Sequence, residues 1–274
     1  MSTNSSLSRL SRIFFTFGVI PLLLIAGAQL FILSEQTDLY FAWTIPLPFT
    51  AAFMGAGYWA ALAHAFIIAR NPSWDQIRVS IPAGLTATTL LLIATLLHLS
   101  QFHLDSPNLL TRFVTWVWIV VYVVTPPIFL YFFVTQLRKS ESDKENPAPF
   151  PGWVRGGYYL LAAFGLIAGI GLFFFPGNFM SMWAWPLKPL ASRAVGAWMT
   201  TFGVASASLA IENDRESGAG TMTSLLAFCV LQVVVIFRYS SSMDFVNPLT
   251  WGYVLFLLFG IVVNGVGVRK RQAR

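Results

Sequence analysis

Eight stretches of the chain, at 13–33, 49–69, 79–101, 113–135, 156–176, 190–211, 220–239 and 249–268, are each predominantly apolar over about 20 residues. A helix of that length crosses a bilayer core of about 30 Å, since each residue rises about 1.5 Å. The runs are continuous rather than alternating. Helices are therefore expected in place of a barrel, because a helix satisfies its own backbone in lipid. Composition points the same way: 56% of residues are hydrophobic and 10% charged, whereas soluble domains carry roughly a quarter charged residues. The expected class is an all-α integral membrane protein with eight transmembrane helices.

The net charge of +6 does not indicate a nucleic-acid partner, because the basic residues sit scattered at the ends of the apolar runs. Their distribution sets topology instead. With the N-terminus in the cytoplasm, only Arg112, Lys188, Arg193 and Arg238 fall outside, leaving 13 of the 17 Lys and Arg on the inner side. A multi-pass protein of the cell membrane with both termini cytoplasmic is expected, and the lipid bilayer is its first partner. Residues 9–28 also have the form of a signal peptide, with Arg9, Arg12, an apolar stretch and Ala26-Gly27-Ala28 as a cleavage site. Two observations favour an uncleaved first span. The apolar run continues to Leu33, and the same sentence recurs mid-chain. The lone Cys229 makes no internal disulfide.

That recurrence is an internal echo. "LIAGAQLFILSEQTDLYFAWTIPLPFTAAFMGA" from Leu24 is matched by "LIAGIGLFFFPGNFMSMWAWPLKPLASRAVGA" from Leu166. Trp43 meets Trp185, Pro48 meets Pro189, and Gly55-Ala56 meets Gly196-Ala197. Further on, Asn108 and Thr115-Trp116 pair with Asn247 and Thr250-Trp251, and each half closes on a basic pair, Arg138-Lys139 or Arg269-Lys270. The expected organisation is a first four-helix repeat over 1–137, a cytoplasmic linker over 138–155 and a second repeat over 156–274. Four spans per half give both halves the same orientation, so a pseudo-two-fold axis along the membrane normal is expected.

Local features divide between packing and recognition. Gly165 and Gly169 form a GxxxG, and Gly55, Gly57, Ala61, Gly196, Thr200 and Gly203 give other spans small faces for close helix contact. Pro126-Pro127 predicts a kink in the fourth span; Asn264-Gly265 is a weaker irregularity in the eighth. The outer loops "LYFAWTIPLPF" and "FMSMWAWPLKPL" are apolar and aromatic. An aromatic belt, with Trp43, Trp183 and Trp185 at headgroup level, is the first reading; a lid over a cavity between the halves is the second.

Ionisable residues in or near lipid are costly and so point to function. His64 lies within the second span, His98 and Arg238 at the outer ends of the third and seventh, and Arg193 at the outer end of the sixth, with Asp244 as its candidate counter-charge. His98, His103 and Asp105 do not have the helical spacing of a metal site, so no metal is expected. No catalytic triad, nucleotide loop or paired buried carboxylate occurs, and no cofactor is specified.

The duplicated spans favour a carrier or pore for a small neutral, lipophilic or anionic molecule at the junction of the repeats. Trp43, His98, Trp185, Arg193, Arg238 and Asp244 are its candidate ligand-binding residues. The absence of acidic residues at the midplane argues against proton or sodium coupling. The alternative is a non-catalytic scaffold, complex subunit or lipid-binding protein, which needs no site. A membrane enzyme acting on a lipid or pigment is the third reading.

Overall fold

The computed structural model describes residues 18–70, 74–138 and 148–269. The first residues of the first run, residues 139–147 of the linker and the basic tail beyond Arg269 lie outside the described residues. The long elements are α1 (Ile20–Gly27, continuing as a π-helical turn over Ala28–Ile32), α2 (Pro48–Arg70), α3 (Trp74–Leu97), α4 (Leu109–Arg138), α5 (Gly152–Phe174), α6 (Pro189–Glu212), α7 (Arg215–Arg238) and α8 (Pro248–Arg269). Seven of these, α2 to α8, are long and apolar enough to cross a membrane, and α1 is a shorter apolar helix over its described residues. Among the described residues there is no strand, only an isolated bridge between Trp43 and Phe102. The result is an all-helical, multi-pass membrane architecture.

Helix boundaries follow from local chemistry. Pro48, Pro189 and Pro248 open α2, α6 and α8, where a missing N–H leaves no bond unmade. Asn108 and Asn247 accept the N–H groups of Leu110 and Leu249 and so cap α4 and α8. Asp214 caps α7 by accepting from Glu216 and Ser217. It also accepts from the Ser217 hydroxyl and the Ala148 N–H. Burial alone would raise the Asp214 pKa, but these donors hold its carboxyl below the usual carboxylate range. The helix α5 begins at Gly152, so the last residues assigned to the linker are helical. The α4 helix runs through Pro126 and Pro127 without ending.

The two central helices, α2 and α6, are buried along most of their spans, whereas α4 is exposed along most of its length. A helix apolar on every side, as α2 is, belongs inside such a bundle. Each is crossed closely by the helix before it. A Cβ on Gly55 would lie 2.4 Å from the Phe31 backbone nitrogen, and one on Gly196 would lie 2.7 Å from that of Phe173. Only glycine permits backbones so near. Around this pair, α2 packs on α7 and α3 on α6, while α4 packs on α3 and α8 on α7. Buried polar bonds join the layers: Gln232 donates to the Phe53 carbonyl and accepts from the Tyr253 hydroxyl. The π-helical end of α1 leaves the Phe31 and Ile32 carbonyls free, and Arg238 donates to both, at 2.6 and 3.2 Å.

The aromatic loops do not form a headgroup belt. Trp43 and Trp185 are 3% and 2% exposed. Trp43 packs among Phe41, Phe102 and Trp118. Trp185 packs on Phe49 and Tyr253 and donates its indole N–H to the Thr50 hydroxyl at 3.0 Å. A buried indole needs a partner for its N–H, and Thr50 provides one. Trp183 is half-buried beside Trp185.

Candidate functional site

The bundle encloses a cavity of about 490 Å³ among α1 to α4, with α6 and α7 forming its inner wall. It lies toward the first half of the bundle, not evenly across its centre. On α2, Gly57, Ala61, His64 and Ile68 recur at helical spacing and face it, as do Trp198, Thr201 and Ala205 on α6. Much of the space exists because small residues stand where bulk would otherwise fill it. Its mouth is flanked by exposed apolar side chains of α1 and α4, Ile25 and Phe113.

Among the described residues the lining contains no Asp, Glu, Lys or Arg. Most of its hydroxyls are tied up locally. Thr88, Thr125 and Thr201 donate to carbonyls four residues earlier, and Ser224 donates to the Ala60 carbonyl. Such side chains present mainly carbon to the interior. Tyr58 and Tyr122 satisfy each other, hydroxyl to hydroxyl, at 2.5 Å. Three groups on the wall stand apart. The His64 ring nitrogens, the Thr221 hydroxyl and the Trp198 indole N–H are buried without a well-formed hydrogen bond. The imidazole rests against the Gly220 main chain, where a Cβ would come within 2.6 Å of Nδ1.

Trp43, His98, Trp185, Arg193, Arg238 and Asp244, singled out from the sequence, do not line this cavity. Trp43 lines a smaller cavity of about 260 Å³ together with Gln101 and Lys188. Arg193 donates to Nε2 of His98 at 2.8 Å, so its partner is a neutral imidazole. Among the described residues its ion pairs do not include Asp244. Burial, then the neighbouring Arg193 charge, depresses the His98 pKa. Asp244 accepts from the Val246 N–H and shapes its own turn. Arg238 is engaged with α1, and Trp185 is a core residue. His103 bonds to Thr44 and to the Phe41 carbonyl, fixing the first aromatic loop. No group of three or more metal-ligating side chains occurs among the described residues.

The sequence therefore marked His64 only as an intramembrane histidine and did not mark Tyr58, Tyr122, Trp198 or Thr221. Of these, only the position of His64 carried a signal, the cost of a polar ring in lipid. Neither models of known protein families, nor curated proteins, nor solved structures yield a significant match to this chain.

Proposed function

We propose that this multi-pass membrane protein binds an uncharged lipophilic molecule in the cavity among α1 to α4 and acts as its carrier. The observation that carries this reading is the cavity: its volume lies in the range of small-molecule sites, and its wall, among the described residues, is largely apolar and without formal charge. A charged solute would leave water for a wall with no counter-charge, a transfer costing several kcal/mol or more. An anionic cargo is disfavoured for that reason, and a neutral lipophilic one is favoured.

The duplicated arrangement belongs to the same reading. It is supported by the paired close crossings at Gly55 and Gly196, and by the matched packing of α2 on α7 and α3 on α6. It is supported also by the bonds from Thr115 to the Ala42 carbonyl and from Thr250 to the Ala184 carbonyl. The Lys and Arg distribution supports cytoplasmic termini. Reporters fused after residue 145 and at the C-terminus should both read cytoplasmic, and one after residue 107 external.

The binding reading is tested by mass spectrometry of small molecules that remain with the gently purified protein. An apolar species should accompany the wild type and be lost from Ala61→Phe, whose ring occupies the cavity. Reconstitution in vesicles then tests movement of that species between leaflets. An empty cavity with a protein partner in fixed stoichiometry would favour the subunit reading instead.

A further inference from the structure

We infer that the cavity selects its occupant by one polar group: the ligand is an uncharged amphiphile whose hydroxyl or carbonyl is received by His64 and Thr221. This rests on the binding reading above and adds the chemistry of recognition.

His64 lies six residues before Arg70 at the end of α2, and Thr221 six residues after Arg215 at the start of α7. Both are therefore about 9 Å inside the same end of the bundle at the ordinary helical rise. Contact between the His64 ring and Gly220 brings the two helices together at this depth. His64 and Thr221 thus form a polar patch on a largely apolar wall, with Ile68 and Ile77 lining the cavity still nearer that end. Thr221 is 3% exposed and its hydroxyl has no partner. Among the other wall threonines, Thr88, Thr125 and Thr201 donate to their own helices.

A buried polar group without a partner costs about 1–3 kcal/mol, so this patch favours an occupant that brings a complement. A neutral imidazole offers one donor and one acceptor, and a threonine hydroxyl can do both. Together they match an alcohol, which also donates and accepts, or a carbonyl, which accepts from either. A carboxylate fits poorly, since among the described residues no cation lines the wall. Access from the bilayer is consistent with the exposed apolar flanks at Ile25 and Phe113. The Trp198 N–H, 14 residues from the matching end of α6, lies about 12 Å higher at the helical rise. It lies elsewhere on the wall, apart from the His64–Thr221 patch.

The test uses the full chain in lipid nanodiscs with three diazirine-bearing probes of one chain length: hexadecanol, hexadecane and hexadecanoate. Labelled residues are mapped by mass spectrometry. The alcohol should label the cavity wall with an apparent affinity about tenfold above the alkane, the ratio expected from a hydrogen bond gained in an apolar site; the carboxylate should label least. Thr221→Val, which keeps the side-chain volume, and His64→Leu should each bring the alcohol down to the alkane's level and leave alkane labelling unchanged. Thr221→Val alone is decisive if His64→Leu does not fold. Equal labelling by alcohol and alkane in the wild type, or an unchanged alcohol preference in Thr221→Val, overturns this inference while leaving the apolar cavity reading intact. Absence of cavity labelling by all three probes overturns both.

Discussion

Helices α5 and α8 close on each other in the second half of the bundle, whereas α1 and α4, which hold the corresponding places in chain order, stand apart around the cavity. The closed pair is stitched by Phe164 stacked on Phe256 at 4.6 Å and by the Tyr158 hydroxyl donating to Asn264 at 3.2 Å. Small residues allow the approach. A Cβ on Gly157 would lie 2.8 Å from Val263, and one on Gly267 3.4 Å from the Tyr158 hydroxyl. In the register set by Thr115 and Thr250, α4 carries Thr125, Phe129 and Phe132 where α8 has Gly260, Asn264 and Gly267. Helices associate in lipid through close packing of small surfaces and a few polar bonds. The half with bulk at these positions is the one whose helices stand apart around the cavity.

The largest effect should come from the aromatic residues above each half. Trp43→Ala and Trp185→Ala should each destabilise by about 3–5 kcal/mol, with Trp185 the costlier because the Thr50 hydroxyl also loses its donor. Thermal unfolding in detergent, followed by tryptophan fluorescence, measures both. Equal losses would show that the closed half gains nothing from that bond.

Bulk should separate the halves more cleanly. Ala162→Phe, in the tightly packed α5, should cost about 2–3 kcal/mol by overpacking. Ala61→Phe, facing the cavity, should cost less than about 1 kcal/mol. A similar penalty at both positions, read from the same unfolding curves, would mean that the first half has no room to spare.

A smaller change loosens the closed half without altering its shape. Tyr158→Phe removes the bond to Asn264 and should cost about 1 kcal/mol, and cysteine pairs across α5 and α8 should then cross-link more slowly.

The smallest effect concerns pH. Because Asp214 has a lowered pKa in the fold, its contribution is complete above the unfolded carboxylate pKa. It is lost as pH falls through the lower folded value. Melting temperatures of wild type should therefore drop more steeply on acidification than those of Asp214→Asn, whose cap is worth about 1 kcal/mol less at neutral pH.

Helix positions were legible because a bilayer imposes length and apolarity on each span. The run at 49–69 became Pro48–Arg70, and that at 190–211 became Pro189–Glu212. The cavity was not legible. Ala61 lines the cavity and Gly57 meets the Trp198 ring, while Gly165 in a similar pattern meets the Gly203 backbone. Composition cannot tell these fates apart, because the difference lies in how far away the neighbouring helix stands. The tryptophans misled for a related reason. An indole in an outer loop reads as an interfacial anchor until its partners, Thr50 and Tyr253 for Trp185, are known, and those lie on other helices. Arg193 was legible as unusual, but its partner His98 comes from just beyond the C-terminal end of α3 rather than from the acidic turn at Asp244.

The side opening between α1 and α4 changes the solvent against which any guest is weighed. A molecule arriving through it leaves a fluid of hydrocarbon chains, not water, so hydrophobic transfer contributes little to its retention. Acyl chains of the surrounding phospholipids compete for the same space in great excess, and occupancy depends on mole fraction in the leaflet rather than on aqueous concentration. Discrimination must then come from what bulk acyl chains lack. A few polar atoms held out of water count for more in such a competition than the whole apolar wall.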